Sequence, residues 1–402
     1  MNWSPEDSLL LSCIGTSRED RTLPHVEALL SSDLDWEEVL EKACRHRMMS
    51  LLYHALKSLD DKGLIPQTVM ENLKGAYCTH AVLNMRFARK LKEILTSLGE
   101  AGIEAIVLKG VPLAEMVYED IALRPMGDID LLVRKKDLES VEARLFGLGF
   151  TRFVEDRQGY QSYYRHYFDH DRTIPLHIHW ELVRAPNAFD VDVDALFHCA
   201  KRRNLSGMEA LVLSPEDTLM YLALHLFFTH FFNMGLIGLV DIARLIEKTE
   251  MDWERVVADS RKRKVAGCLY VSLYFVKELL HAPIPDATLK QLEPSPFRKR
   301  FVLKAATEGK TILHAALKQA PDARSQATLL HLLLAENIGD ASRTALRLLF
   351  PPREFILDPS ISRTGSPNLF LRYAARHKSL LSKYGRSIFR LVSRARSSGG
   401  PA

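Results

Sequence analysis

The sequence has few cysteines, and none of them form a closely spaced pair. The 402 residues include five cysteines with no CxxC or CxxxC motif among them, which excludes a zinc knuckle and a disulfide scaffold. The N-terminal segment has no basic region ahead of an apolar run, so we expect no secretory signal. We therefore interpret the cysteines as buried thiols of a cytoplasmic protein; they are Cys13, Cys44, Cys78, Cys199 and Cys268.

Acidic residues are absent from the last part of the chain. From Pro359 onward there are nine basic residues and no Asp or Glu, which leaves 45 basic and 50 acidic residues in the body. Such a body lacks the basic face that non-specific nucleic-acid binding requires, so the body carries no strong nucleic-acid signal. Leu369–Val392 carries apolar and basic residues at helical spacing. This pattern predicts an amphipathic helix that either packs on the body or contacts a membrane surface or polyanion weakly.

Charged residues are also missing from the 22 residues of Leu219–Val240. A run of roughly 20 apolar residues can span a bilayer. This one contains polar groups such as His225 and Asn233, which are costly in lipid. We interpret the segment as two buried helices joined by an Asn-Met-Gly turn.

Hydrophobic periodicity divides the chain into four parts and indicates an α+β protein. Residues 1–100 have helical spacing, 101–185 predict a mixed α/β core, 186–350 return to helical spacing, and 351–402 form the basic tail. Within the core, Ile103–Leu108 and Asp128–Val133 are short apolar runs typical of buried strands.

Two aspartates begin the second of these strands. Asp128 and Asp130 are two residues apart, so their side chains are expected on the same face of the sheet. Neighbouring carboxylates repel each other unless a cation lies between them, and Mg²⁺ prefers oxygen ligands shared with phosphates. The alternative is that a lone D-x-D is a solvated turn.

A Lys-Gly step follows the first strand. Gly110 allows close approach of the backbone to a bulky anion, and the next helical turn offers N–H groups to a phosphate. Lys109 and Arg124 would add positive charge, and arginine suits bidentate phosphate contact. We therefore predict nucleotide binding by Lys109, Gly110 and Arg124.

This combination resembles the uncharacterised nucleotidyltransferase family of the DNA polymerase β superfamily. The matching motifs are a Leu-Lys-Gly turn, the Arg-x-x-Gly-Asp-Ile-Asp-Leu-Leu-Val strand, a strand ending in His-Trp and the helical segments starting at Ser214 and Val240. The resemblance spans about residues 35–350. It implies a minimal nucleotidyltransferase fold between two helical regions, with ATP or another NTP as donor and Mg²⁺ or Mn²⁺ on catalytic carboxylates Asp128 and Asp130.

The chain departs from the superfamily pattern at two positions. Val111 follows the glycine in place of Ser or Gly, and His177 stands where the resemblance implies a third metal carboxylate. The site is thus expected to use Asp128, Asp130 and His177 as metal ligands, unless Asp169 or Asp171 contributes from the preceding turn.

Two further interpretations stay open. His177 and His179 alternate on one strand, which is compatible with a transition-metal site or with a structural role for His179. The departures are also compatible with a catalytically reduced nucleotide-binding or protein-interaction module. The acceptor, a protein or a small molecule, cannot be named from these residues.

Overall fold

A computed structural model describes most of the first 299 residues and part of the C-terminal region. The described residues are 3–15, 22–59, 63–153, 163–182, 189, 191–226, 235–296, 298–299, the run 368–378 and scattered positions between 339 and 380.

Helices flank a central sheet on both sides along the chain. In the described residues they are α1 (Pro5–Ile14), α2 (Thr22–Leu30), α3 (Trp36–Arg45), α4 (Met49–Leu56), α5 (Gln67–Glu100), α6 (Val111–Met116), α7 (Leu138–Gly147), α8 (Val193–Cys199), α9 (Pro215–Leu224), α10 (Ile237–Lys248), α11 (Trp253–Lys262), α12 (Ala266–Leu280) and α13 (Asp286–Leu292). Two short 3-10 helices cover Ile121–Leu123 and Lys135–Asp137.

Among the described residues, seven strands form one mixed sheet in the order β3-β4-β5-β2-β1-β7-β6. Their bounds are β1 (Ala105–Val107), β2 (Ile129–Val133), β3 (Thr151–Arg152), β4 (Tyr164–Phe168), β5 (Pro175–His179), β6 (Lys201–Leu205) and β7 (Met208–Val212). The mixed α+β class predicted from the sequence is confirmed, and β1 and β2 lie within the two predicted apolar runs.

Strand β2 lies at the centre of the sheet and presents two different faces. It pairs antiparallel with β1 and parallel with β5, where Asp130 is opposite His177. Ile129, Leu131 and Val133 lie on the other face, in a core formed with α5 and α7. The alternation within β2 thus buries apolar side chains on one face and directs Asp130 to the face that α9 and α10 flank.

Local capping explains where several helices begin. Asp35 caps α3, Ser214 caps α9 and Asp252 caps α11, each by accepting a hydrogen bond from a backbone N–H of the first turn. Pro215 occupies the first turn of α9. The helix start predicted at Ser214 is confirmed, and it places α9 beside the sheet.

The prediction of helical structure from residue 186 onward is wrong for residues 201–212. Here β6 and β7 form a hairpin, and β7 pairs parallel with β1, so the sheet extends beyond residue 185. Strand β6 reads KRRNL and exposes its first four residues, and an edge strand of this kind lacks the apolar alternation that identifies a strand. Ser206 and Gly207 both have positive φ in the turn, as a two-residue hairpin loop requires.

Two other predictions concern segments that are described only in part. The apolar run Leu219–Val240 contributes to α9 and α10, while its residues 227–234 lie outside the described residues. Among the described helices, none is both long and apolar enough to cross a bilayer. In the basic tail, residues 369–378 are helical, and the remainder of the predicted amphipathic helix is outside the described residues except position 380.

The cysteines are free, but their burial differs from the prediction. Cys268 is buried and Cys13 and Cys199 are half-buried, whereas Cys44 and Cys78 are exposed. The prediction of five buried thiols is therefore wrong for two of them.

Candidate functional site

The two aspartates of the D-x-D motif lie close together at the start of β2. Asp130 is buried, with 2% of its side chain exposed, whereas Asp128 exposes 28%. The Lys109 ammonium lies between them, with Nζ 3.1 Å from Asp128 Oδ1 and 2.8 Å from Asp130 Oδ2. The predicted pairing of the carboxylates is therefore present, and a lysine neutralises part of their charge.

Two histidines of β5 complete what we term the carboxylate–histidine cluster, namely Lys109, Asp128, Asp130, His177 and His179. His177 Nδ1 lies 3.0 Å from Asp130 Oδ1 and 3.5 Å from Asp128 Oδ2. His179 Nε2 lies 3.1 Å from the same Asp130 Oδ1. The ligand atoms of Asp130, His177 and His179 are all within 4.8 Å of one another. The structure thus brings His179 onto Asp130, which the sequence left open.

The electrostatics of the cluster favour an ionised Asp130. Burial acts to raise the pKa of its carboxyl, but Lys109 and the hydrogen bonds from His177 and His179 outweigh burial and hold that pKa well below its usual value. For Lys109, burial lowers the pKa, but Asp130 and Asp128 together leave it raised. The cluster is therefore a buried carboxylate matched by an ammonium and two imidazoles.

The pKa values of the two imidazoles are shifted in opposite directions. Burial acts to lower the pKa of both rings. For His177 the hydrogen bond to Asp130 and the charges of Asp130 and Asp128 more than offset burial, so its pKa is raised. For His179 burial outweighs the same carboxylate, so its pKa is lowered. His179 is hence the ring more readily held neutral.

Strand β4 adds aromatic side chains that sequence reasoning did not select. Its residues pair with β5, so that His166 is opposite His177 and Tyr164 is opposite His179. The His166 and His177 rings are 4.6 Å apart between centroids, and Tyr164 stacks on His179 at 5.1 Å. Burial lowers the pKa of His166 to about 4. The alternation YxH in β4 is the signal that could have identified these side chains, given the strand register.

The Lys-Gly turn has the conformation that requires glycine. Gly110 has φ 75° and ψ −110° and begins α6, and this region is open almost only to glycine. A Cβ at this position would lie 3.3 Å from Met126 Sδ and 3.6 Å from the Asp128 carbonyl. Gly110 therefore packs closely against the residues that lead into the D-x-D strand. The next turn contains Pro112, which has no N–H to offer a phosphate.

Arg124 has a different partner from the one predicted. It is buried, and its Nε and Nη2 each donate to a carboxylate oxygen of Asp241 on α10 at 2.8 Å. The Tyr118 hydroxyl donates to the same carboxylate at 2.7 Å. A bidentate pair of this kind uses the guanidinium edge that would otherwise bind a phosphate. The structure thus places Arg124 as an anchor of the loop before β2.

Asn84 of α5 holds the same loop from the other side, and sequence reasoning missed it. Its side-chain amide donates to the Ile121 carbonyl and, at 2.8 Å, to the Arg124 carbonyl. Its Oδ1 accepts from the Met126 N–H at 3.3 Å. The residue is fully buried in a helix that otherwise buries apolar side chains, and an asparagine on such a face is the signal that could have found it.

The alternative ligand Asp169 is committed elsewhere. Its carboxylate accepts hydrogen bonds from the backbone N–H groups of Thr173 and Ile174 at 2.7 and 2.8 Å. It thereby closes the turn between β4 and β5, and Asp171 of the same turn is exposed. Neither aspartate of this turn therefore belongs to the group of possible metal ligands, which consists of Asp130, His177 and His179.

A buried tyrosine of α9 approaches the cluster from the helical side. The Tyr221 hydroxyl has no hydrogen-bond partner among the described residues. Burial raises the pKa of Tyr221 well above its usual value, and the charges of Asp130 and Asp128 raise it further. Tyr221 is hence a buried residue of α9 on which the charges of the two carboxylates act.

The fold and the site together define a class of protein: a mixed-sheet protein with a site suited to a polyphosphate or a metal. A mixed sheet carries a glycine turn, a pair of carboxylates and a lysine on neighbouring strand ends, with helices on both flanks. Such an arrangement suits binding of a polyphosphate or a metal.

Comparison with known families identifies the chain more closely. The family model described as uncharacterised nucleotidyltransferase matches residues 32–281, more than half of the chain. The chain belongs to this family, which confirms the resemblance found in its motifs and points to nucleotidyl transfer. No curated protein and no solved structure is significantly similar to the chain.

Proposed function

We propose that this protein transfers a nucleoside monophosphate from an NTP to an acceptor, with a divalent metal bound at the carboxylate–histidine cluster. One observation supports the proposal: beside the Gly110 turn, Lys109 Nζ lies 3.1 Å from an Asp128 oxygen and 2.8 Å from an Asp130 oxygen. The chain that carries this arrangement belongs to a nucleotidyltransferase family.

The donor set at the cluster fits a divalent metal that accepts nitrogen ligands. Asp130 Oδ1 faces two imidazole nitrogens, and Asp128 adds a carboxylate at the more open side. Asp128, Asp130 and His177 would hold the ion, and Mn²⁺ accepts such a mixed set more readily than Mg²⁺. A bound ion supplies charge stabilisation at the phosphate undergoing attack.

The chain's own residues would divide the remaining tasks. Asp130 is buried and is held by three contacts, one each to Lys109, His177 and His179, so it is the fixed ligand. Asp128 is the accessible carboxylate and would accept the proton of an acceptor hydroxyl or amine. Lys109 holds the two carboxylates together and limits their repulsion.

Arg124 and Gly110 would act by positioning. Arg124, fixed by Asp241, anchors the loop that precedes Asp128. Gly110 shapes the turn that packs against the Asp128 carbonyl. Backbone N–H groups at Gly110 and Val111 are the phosphate donors we propose for this turn. The acceptor's contacts would come from the helices.

A second candidate is a module that binds a nucleotide or a protein partner without turnover. The observation that favours it is the Lys109 ammonium between the two carboxylates, together with His177 at the third ligand position. In this case nucleotide binding would persist while transfer would be absent.

The two candidates are separated by measuring product. Purified full-length chain is incubated with each α-phosphate-labelled NTP and Mg²⁺ or Mn²⁺, and both pyrophosphate release and label transfer to added protein and small-molecule acceptors are recorded. We expect Asp128→Asn and Asp130→Asn to abolish release, while Asp171→Asn, on the exposed β4–β5 turn, retains it. Nucleotide binding without release under every condition would favour the non-catalytic candidate.

A further inference from the structure

We infer that Asp130, His177 and His179 form a binding site for a first-row transition metal of the Zn²⁺ or Co²⁺ type, which they select over Mg²⁺. The inference deepens the proposed function, on which it rests only for the metal's role in catalysis. It assigns His179 in place of Asp128 as the third protein ligand of that same ion, and leaves Asp128 as the accessible carboxylate beside it.

The three ligand atoms lie within 4.8 Å of one another. Asp130 Oδ1 is 3.0 Å from His177 Nδ1 and 3.1 Å from His179 Nε2. Ligands of a tetrahedral ion at about 2.0–2.2 Å are separated from each other by about 3.3–3.6 Å. An ion could therefore replace the two shared protons with side-chain shifts of a few tenths of an ångström at these two contacts.

The chemistry of the donors selects the class of ion. Two neutral imidazoles and one carboxylate are a nitrogen-rich set, which binds Zn²⁺, Co²⁺ and other late divalent ions much more tightly than Mg²⁺. Three protein ligands leave a further position open, as in catalytic zinc sites. The site would thus retain room for a phosphate oxygen or water.

The surrounding residues hold this set in place. All three ligands lie on the paired strands β2 and β5, where Asp130 is directly opposite His177. Lys109 contacts the other oxygen of Asp130 at 2.8 Å and so leaves Oδ1 to the histidines. Tyr164 stacks on His179 at 5.1 Å. A metal ligand whose orientation is fixed by such outer contacts binds more tightly.

Charge supports the same conclusion. Asp128 and Asp130 carry two negative charges against one positive charge from Lys109, and the Arg124–Asp241 pair is neutral. With both imidazoles neutral, the cluster without an ion is therefore negative, which opposes binding of a triphosphate. A divalent ion makes it positive, so metal binding and nucleotide binding are expected to support each other.

The test measures metal binding without nucleotide. Tag-free, full-length protein is treated with chelator, dialysed and titrated with Zn²⁺, Co²⁺ and Mg²⁺ by calorimetry, with the visible absorption of bound Co²⁺ as a second readout. We expect one Zn²⁺ or Co²⁺ per chain, with Mg²⁺ at least about 100-fold weaker. His177→Gln and His179→Gln should each weaken Zn²⁺ binding about tenfold or more, whereas the exposed control His170→Gln should not.

The outcomes discriminate between the proposals. Absence of stoichiometric binding, equal affinity for Zn²⁺ and Mg²⁺, or unchanged binding by His177→Gln would overturn the metal assignment. His177→Gln, at the more exposed of the two rings, and the wild-type titration decide whether the cluster binds the metal. Unchanged Zn²⁺ binding by a folded His179→Gln protein, or by His179→Asn where the glutamine variant does not fold, would overturn the assignment of His179. Stoichiometric Zn²⁺ binding without pyrophosphate release in the presence of Zn²⁺, Co²⁺, Mn²⁺ or Mg²⁺ would keep this inference and refute the catalytic function alone.

Discussion

The buried ion pair between Arg124 and Asp241 gives a quantitative test of how the loop before β2 is held. The side chains expose 5% and 2% of their area, and two hydrogen bonds of 2.8 Å join them across 117 residues of sequence. Removing one partner leaves a buried charge without compensation. We expect Asp241→Ala to lower the free energy of unfolding by about 3–5 kcal/mol.

A matched exposed pair provides the control. Arg202 and Glu209 are 2.7 Å apart on the β6–β7 hairpin, and both expose more than 60% of their side chains. Glu209→Ala should cost about 0–1 kcal/mol, because water screens the pair. Urea unfolding followed by circular dichroism measures both, and the double variant Arg124→Met with Asp241→Leu should recover most of the loss.

The same experiment tests the positioning role of this pair. The double variant should fold yet release pyrophosphate more slowly than wild type, because apolar side chains cannot fix the loop that precedes Asp128. If Asp241→Ala lowered the free energy of unfolding as little as Glu209→Ala does, the buried pair would not hold the loop before β2. An unchanged rate of pyrophosphate release in the double variant would refute the positioning role of the pair.

Three further variants test other contacts, each by urea unfolding against a control. Asn84→Ala should cost about 1–3 kcal/mol, because buried backbone groups lose their partner, whereas the exposed Asn72→Ala should cost less. Gly110→Ala should cost about 1–3 kcal/mol, because φ is 75°, while Gly99→Ala, with open space at its Cβ, should not destabilise. Burial acts to raise the pKa of Asp169, but the Ile174 and Thr173 N–H groups leave it lowered. The ionised Asp169 carboxylate therefore stabilises the fold fully above its pKa in the unfolded chain, about 3.9. This stabilisation is lost as the pH falls through the lower pKa of the folded protein, so the loss of unfolding free energy caused by Asp169→Asn should shrink below about pH 4.

Equal stability of Asn84→Ala and Asn72→Ala would show that the loop does not depend on the α5 amide. An unaltered Gly110→Ala protein would contradict the backbone conformation at that turn. A cost of Asp169→Asn that is the same at pH 3 and pH 7 would contradict the assigned hydrogen bonds.

Local patterns predicted the elements whose cause is local. The alternation in Asp128–Val133 gave both the strand and the common face of the two aspartates, because side chains alternate along a strand. Ser214 followed by Pro215 marked the start of α9 for the same kind of reason. The family motifs lie in these segments, which is why the sequence led to the family.

Contacts between distant segments could not be predicted in this way. Arg124 has the charge of a phosphate ligand, and only the packing of α10 on the loop reveals Asp241 as its partner. The spacing of His177 and His179 gave their common face, but the parallel register of β2 with β5 is needed to bring both onto Asp130. Strand β6 could not be predicted from the sequence, because its exposed edge position makes its sequence polar and removes the apolar alternation of a strand.

The central claim is that Asp130 supports nucleotidyl transfer, and one comparison tests it most directly. Pyrophosphate release from NTP is measured for wild type, Asp130→Asn and the surface control Asp171→Asn, at equal concentrations and with matched circular dichroism spectra. We expect wild type and Asp171→Asn to release pyrophosphate and Asp130→Asn to release it only at the background rate. Release by Asp130→Asn at the wild-type rate would contradict it.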